Sequence, residues 1–144
     1  MTAFELCGMV ALPFWALMVF LPTWSITRRI IGSPWIVAPA AVIYLVVLLP
    51  VANFVLPEVI SPVQARIMQL LGTPTGTTLA WAHFIAFDLF VGRWIYCDSR
   101  SRMYSPWWVS PILILTLLIG PVGLLLYLAT RTIIGGANVA ADPA

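Results

Sequence analysis

Four long apolar runs limit what this chain can fold into more than any other feature of its sequence. They cover about residues 4–23, 35–56, 77–97 and 107–130. A helix crosses a bilayer core about 30 Å thick with roughly 20 apolar residues, and each run meets that length. Because the runs are continuous rather than alternating, helices satisfy their backbone hydrogen bonds better than strands of a barrel would. The sequence therefore predicts an all-α, integral membrane four-helix bundle.

The composition agrees with a membrane protein and excludes nucleic acid as a partner. Hydrophobic residues make up 62% of the chain and charged residues 8%, whereas about a quarter of an average soluble domain is charged. The net charge of +2 comes from seven arginines against five acids, which is too small a surplus for a basic binding surface. Cys7 and Cys97 lack the spacing of a metal or redox motif, so we expect two free thiols and no metal site.

The connections between the runs carry the signals of helix ends. Ser33-Pro34 and Ser105-Pro106 each place a capping hydroxyl before a proline at the first helical position, which predicts the starts of the second and fourth spans. Thr77 or Thr78 is predicted to cap the third span. Residues 62–72 repeat apolar side chains at helical spacing, which predicts a short interfacial helix between spans two and three.

Prolines inside the runs predict bends in three of the helices. Each one removes a backbone hydrogen bond of its helix. These prolines are Pro13, Pro39, Pro50 and Pro121. The bends reflect either the ordinary composition of membrane helices or an opening shaped for a ligand.

The same pattern predicts the domain organisation and the orientation. We expect one four-span domain over residues 1–134 and a short flexible tail over residues 135–144. Residues 8–21 lack the preceding positive charge of a signal peptide, so they are predicted to be a retained first helix. The loops that would face inside with the N-terminus outside hold more arginine, which favours N-out and C-out in a bacterial inner or photosynthetic membrane. Those arginines are Arg28, Arg29, Arg100 and Arg102, against Arg66 and Arg131 outside.

The third run, AWAHFIAFDLFVGRW (80–94), keeps three polar side chains in an apolar helix. With His83 set at zero, Asp88 lies near 140° and Arg93 near 280° on an ideal helix, so the three form no stripe. Asp88 is near the centre, where a carboxylate costs about 2.5 to 3.5 kcal/mol on insertion scales. Asp88 is therefore either a functional group or a packing group bonded to a side chain such as Asn53 or Arg66.

Neighbouring positions on this helix suggest a site around Asp88. Trp81 and Gly92 share its face, and Gly92 leaves a gap for a ligand or for the close approach of another helix. His83 either packs through a hydrogen bond or moves a proton. A haem site is weakly supported, because the chain has a single histidine.

The segments AWAHFIAFDLFVGRWIY (80–96) and LLIGPVGLLLYL (117–128) resemble the abscisic-acid-deficiency-four-like membrane protein family. The most specific part is the W-x-H-x4-D pattern at Trp81, His83 and Asp88. Plant members are chloroplast membrane proteins required for neoxanthin synthesis. The resemblance therefore implies a bacterial or cyanobacterial member with a carotenoid or isoprenoid ligand.

The resemblance also implies a chemistry and a set of site residues. Conversion of an epoxy-xanthophyll to an allenic one is an isomerisation, in which an acid opens the epoxide and a base removes a ring-adjacent proton. Asp88 and His83 are then the catalytic candidates, and no redox cofactor is required. The substrate-binding candidates are Trp81, Phe84, Gly92 and Arg93. Whether the chain is an enzyme at all stays open.

Two other functions fit the same residues. In the first, the chain is a non-catalytic structural or assembly subunit that packs against a membrane-protein partner or another copy. Asp88 and Arg93 would then have partners within the bundle or across the interface. The second is a proton or small-solute pathway, for which one Asp and one His offer little polar lining. Membrane lipid surrounds the chain in every case.

Overall fold

The chain folds into α-helices joined by short turns. A computed structural model describes the backbone of residues 1–140 and the side chains of residues 1–134. Within that range no residue is in a β-strand, which confirms the all-α class. The helices are α1 (Ala3–Phe20), α2 (Ser25–Gly32), α3 (Ala38–Leu48), α4 (Ala52–Ile60), α5 (Gln64–Leu71), α6 (Pro74–Ser101), α7 (Pro106–Leu118) and α8 (Gly120–Ala140).

Two helical stretches of the described chain are long and apolar enough to cross a membrane. Ala3–Phe20 has a mean hydropathy of 1.9, and Pro34–Ile60 has one of 2.4. The second stretch joins α3 and α4 through 3-10 turns at Pro34–Val37 and Leu49–Val51. The fourth predicted run is instead divided at Ile119 into α7 and α8. The apolar part of each is shorter than these two stretches.

The prolines mark where regular helix gives way. Pro50 lies in the 3-10 turn between α3 and α4, and Pro121 is the second residue of α8. Pro39 lies in the first turn of α3, where its missing N–H leaves no helical bond unmade, while Pro13 lies inside α1. The strongest interruptions therefore occur at two of the four prolines for which bends are predicted.

The third run begins earlier than its sequence suggests. α6 starts at Pro74, and Oγ1 of Thr73 accepts a 3.0 Å hydrogen bond from the backbone N–H of Gly76. Thr73 is therefore the cap, and the prediction of Thr77 or Thr78 was wrong. The hydroxyl-then-proline pattern that marks α7, whose N-cap is Ser105 before Pro106, is also present at Thr73-Pro74.

Of the two short helices between the apolar runs, the sequence predicts α5 but not α2. α5 lies within the segment 62–72, as its apolar spacing predicts. α2 forms in the connection between the first two apolar runs, where no helix is predicted, and it buries Thr27 and Ile31 on one side. Its residues repeat four apart, which is the neighbour spacing of a helix.

The Cα positions group the chain into two compact units, with boundaries inside α1, inside α6 and between Ser33 and Pro34. The first unit is Met1–Phe14 with Pro34–Leu89, and the second is Trp15–Ser33 with Phe90–Ala144. The prediction of one domain over 1–134 stays a prediction. Of the predicted tail 135–144, residues 135–140 continue α8 and residues 141–144 lie outside the described part.

Each unit has its own buried residues. In the first, Ala40, Val55, Leu79 and Ala82 are at most 6% exposed. In the second, the buried set includes larger side chains. These are Trp15, Met18, Ile31, Leu113 and Tyr127.

Candidate functional site

His83 lies in a group of aromatic rings on α6 and α3. Its ring stacks on that of Phe87, with centroids 4.5 Å apart and planes at 21°. Tyr44 of α3 approaches with its centroid at 6.0 Å, and Phe84 at 6.3 Å. The stacking follows from helix geometry, because residues four apart lie on the same face. His83 is exposed and forms no hydrogen bond with the described residues, so it is not a buried, hydrogen-bonded packing residue.

Trp81 lies on α6 near this group and contacts α1. Its ring stacks on Phe4, with centroids 5.3 Å apart and an interplanar angle of 21°. Trp81 is still 40% exposed, and Phe84 is 56% exposed. The two predicted substrate-binding aromatics thus present ring surface that the described protein leaves uncovered.

Asp88 is half-buried and has no internal partner among the described side chains and backbone groups. Arg66 is not its partner, since Nε of Arg66 lies 2.8 Å from Oε2 of Glu58 and Nη2 donates to the Ser61 carbonyl. Asn53, the other packing partner considered, is exposed and makes no hydrogen bond within the same described range. Asp88 is therefore a carboxyl group without a compensating contact on an apolar helix.

Gly92 is where another part of the chain packs closely against α6. A Cβ atom built on Gly92 would lie 2.4 Å from Cη2 of Trp15, and Trp15 is 2% exposed. Such a distance is far inside van der Waals contact, so only glycine fits. Of the two occupants considered for the gap at Gly92, the neighbouring helix α1 fills it.

Arg93 binds the carboxyl end of α2. Its Nε donates a 3.2 Å hydrogen bond to the carbonyl oxygen of Ser33, and its Nη2 donates to that of Gly32. These are carbonyl groups at the end of a helix, where a cation also offsets the helix dipole. Tyr96 adds a 2.8 Å bond from its hydroxyl to the Pro22 carbonyl. Arg93 thus holds the carboxyl end of α2 against α6 within the second unit.

The most connected ionisable group is Asp98, near the end of α6. Its Oδ2 accepts a 2.6 Å hydrogen bond from the hydroxyl of Tyr127 and a 2.9 Å bond from Nε of Arg102. Nε of Arg131 lies 3.6 Å from the same oxygen. Burial acts to raise the pKa of the Asp98 carboxyl, but the hydrogen bonds from Tyr127 and Arg102 and the two guanidinium charges outweigh it and lower the pKa.

An aromatic contact completes this Asp98 cluster, which we define as Trp94, Asp98, Arg102, Tyr127 and Arg131. Trp94 meets the Tyr127 ring edge-on at 5.5 Å, and the Arg131 guanidinium lies 5.7 Å from the Trp94 centroid. Asp98 and Arg102 are four residues apart on one helix, which is a neighbour spacing readable from the sequence. No sequence prediction included Tyr127. A signal was present, because Tyr127 in the last apolar run lies four residues before Arg131.

The structure keeps the two predicted catalytic residues apart. No hydrogen bond or ring contact joins His83 to Asp88 within the described residues, in agreement with their separation of about 140° around α6. Cys7 and Cys97 are free thiols, as predicted. Across the described residues, no three His, Cys, Asp or Glu side chains group so that they could hold a metal ion.

The fold and these contacts define an all-helical protein with two membrane-length apolar stretches and an unpartnered carboxyl on an aromatic-rich helix. A model of the ABA DEFICIENT 4-like family matches residues 2–127. The chain belongs to the ABA DEFICIENT 4-like family, which confirms the resemblance seen in the sequence.

A curated relative agrees with this assignment. The chloroplastic protein ABA DEFICIENT 4 of Arabidopsis thaliana is 27% identical over 134 residues, which is 85% of this chain and 57% of the relative. The chain thus spans little more than half the length of that protein. No solved structure matches the chain.

Proposed function

We propose that the chain is a multi-pass membrane protein that binds a carotenoid-type isoprenoid beside α6 and isomerises it through Asp88. The observation that carries the proposal is the half-buried Asp88 carboxyl, which has no partner in the described protein. An ionisable group in an apolar helix is costly and is retained where it has a use. Membership of the ABA DEFICIENT 4-like family supports an isoprenoid as the molecule on which it acts.

The exposed apolar surface supports the membrane setting. Only 11% of the most apolar part of Pro34–Ile60 is buried, and Val46, Leu49 and Phe54 on it are 64%, 65% and 77% exposed. A continuous apolar surface of this kind is costly in water and needs lipid or a partner to cover it. We propose that lipid covers it and that the apolar runs form four spans.

The aromatic side chains of α6 supply the contact surface for a polyene. Trp81, Phe84 and Phe87 are 40%, 56% and 59% exposed, and the His83 ring stacks among them. Flat aromatic rings bury large apolar area at little cost in side-chain entropy, which suits a rigid conjugated chain. We assign direct contact to Trp81 and Phe84. Gly92 and Arg93 are assigned a supporting role, because they already contact Trp15 and the end of α2.

The proposed reaction needs one proton added and one removed, so its atoms balance without an oxidant or reductant. Protonated Asp88 gives its proton to the epoxide oxygen as the carbon–oxygen bond breaks, and an alcohol forms. A base then takes a proton from the carbon next to the ring, and that electron pair becomes the new double bond. We assign the base to His83, with the Asp88 carboxylate left by the first step as the second candidate.

Purification from a carotenoid-making host tests the proposal. Pigment extracted from the wild-type protein should be identified by absorption spectrum and mass. Asp88→Asn should keep the pigment and lower turnover by about 10² to 10⁴, the usual contribution of acid–base catalysis. His83→Gln tests the base separately, and Glu58→Gln serves as a carboxyl-to-amide control away from α6.

Two results would contradict the proposal in different ways. Pigment-free wild-type protein, together with wild-type turnover in Asp88→Asn, would contradict both the proposed pigment binding and the proposed role of Asp88 in the reaction. Loss of assembled protein in Asp88→Asn without any change in chemistry would favour the structural-subunit function. The exposed α3 and α4 surface is the observation that supports that second candidate.

A further inference from the structure

A cavity of about 370 Å³ lies between the turn that follows α6, the first turns of α7, and α8. Its polar lining comes from Arg102, Tyr104, Ser105, Tyr127 and Thr130, and its apolar lining includes Trp108. Trp108 is 70% exposed, so the cavity is open to the surroundings. Small-molecule pockets span about 300 to 1,000 Å³, so this one holds a ring-sized group rather than a whole carotenoid.

The cavity is polar without being strongly charged. Among the residues that line it, Arg102 is the charged one, and its Nε lies 2.9 Å from Oδ2 of Asp98. The same carboxylate accepts the Tyr127 hydroxyl. Because the Arg102 guanidinium is already paired with Asp98 and the remaining polar lining is uncharged, the lining suits a neutral ligand.

Two hydroxyl groups in the lining remain able to bond a ligand. The Ser105 side chain makes no capping bond to α7 and no other hydrogen bond in the described protein. Thr130 donates its hydroxyl hydrogen to the Leu126 carbonyl at 2.8 Å, which leaves its oxygen free to accept. Ser105 can donate and Thr130 can accept, and these are the two kinds of hydrogen bond that a ligand hydroxyl can make.

We propose that this cavity binds the hydroxylated ring at one end of an isoprenoid, with Ser105 and Thr130 bonding the ring hydroxyl and Trp108 packing against the ring. The class of ligand rests on the proposed function, but the residues belong to the second unit and are separate from Asp88 and His83. The Asp98 cluster fixes one wall, because Tyr127 and Arg102 are held through the same carboxylate.

A matched pair of small probes tests the cavity directly. 3-Hydroxy-β-ionone carries the hydroxylated ring and β-ionone lacks only the hydroxyl, and titration calorimetry on the full chain in nanodiscs would compare them, with empty nanodiscs as background. Wild type should bind the hydroxylated probe about tenfold more tightly, as expected for one well-made hydrogen-bonded group. Ser105→Ala and Thr130→Val should each reduce that preference while leaving β-ionone binding unchanged. Ser25→Ala, an exposed serine outside the lining, should behave as wild type.

A blocking variant and the bound pigment separate this proposal from the proposed function. Ser105 is exposed, so Ser105→Phe should fold, exclude both probes and lower the ratio of zeaxanthin to β-carotene in extracts from a host that makes both. Equal binding of the two probes, with an unchanged pigment ratio in Ser105→Phe, would overturn the cavity proposal and leave isoprenoid binding at α6 intact. Wild-type protein that carries no pigment and binds neither probe would overturn both.

Discussion

The hydroxyl of Tyr127 donates a 2.6 Å hydrogen bond to Oδ2 of Asp98, which lies 29 residues earlier in the chain. Tyr127 is fully buried, and the same oxygen accepts a bond from Arg102. This contact joins α6 to α8 within the second unit. The contact holds the end of α6 in place. It also holds Tyr127 in one wall of the cavity that Ser105 and Thr130 line.

Removal of the phenol oxygen should destabilise the fold. Tyr127→Phe leaves the ring in place but deletes the donor to an ionised carboxylate, so we expect a loss of about 1.5 to 3 kcal/mol in the free energy of unfolding. Tyr44→Phe is the matched control, because Tyr44 is half-buried and its hydroxyl makes no hydrogen bond among the described residues. Reversible denaturant unfolding in detergent measures both variants. Equal stabilities would show that the Tyr127 bond contributes nothing.

The Asp98 cluster should make stability depend on pH on the acid side. The folded pKa of Asp98 lies below its ordinary value, so its contribution is present above about pH 4 and is lost as the pH falls through the lower, folded pKa. Asp98→Asn removes this titration. The difference in unfolding free energy between wild type and Asp98→Asn should therefore shrink as the pH drops from 5 towards the limit of the assay. A constant difference across that range would contradict the assignment.

The close approach at Gly92 predicts a large effect of a single methyl group. In Gly92→Ala the new Cβ would lie 2.4 Å from the Trp15 ring, which should cost about 1 to 3 kcal/mol through overpacking. Gly8→Ala on α1 is the control, because a Cβ there meets no atom within 4 Å. Trp15→Phe combined with Gly92→Ala should recover part of the loss. Additive effects in the double variant would rule out a direct contact.

The contact of Arg93 with α2 predicts a local effect. Arg93→Met keeps the length of the side chain but removes the donors to the Gly32 and Ser33 carbonyl groups, so the carboxyl end of α2 should fray. Hydrogen exchange should become at least several-fold faster in α2 and remain unchanged in α5. Arg28→Met, an exposed arginine on α2, is the control. Unchanged exchange in Arg93→Met would contradict a capping role.

Loss of the Thr27 hydroxyl should have the opposite effect on the stability of the protein. Its hydroxyl oxygen is fully buried and makes no hydrogen bond in the described protein. A buried hydroxyl without a partner costs about 1 to 3 kcal/mol, so Thr27→Val, which has the same shape, should stabilise the protein or leave it unchanged. Thr116→Val is the comparison, because the Thr116 hydroxyl donates to the Ile112 carbonyl at 2.8 Å. A clear loss of stability in Thr27→Val would reveal a partner for this hydroxyl.

The amino-acid sequence by itself determined the helical class, the approximate place of the helices and the pair Asp98–Arg102. These features depend on residues close together in the chain, such as apolar periodicity, a hydroxyl before a proline and a four-residue spacing. The starts of α6 and α2 were missed although local signals were present. The family was also readable from local residues, because the pattern at Trp81, His83 and Asp88 lies within one helix.

Tertiary structure alone decided which polar groups have partners on other helices. Arg93 meets Ser33 across 60 residues, Tyr127 meets Asp98 across 29, and both contacts depend on how helices pack. A helical pattern records which side chains share a face, but it does not record what faces them. Packing also forms the ion pair between Arg66 and Glu58, and it leaves the Asp88 carboxyl without a protein partner in the described chain.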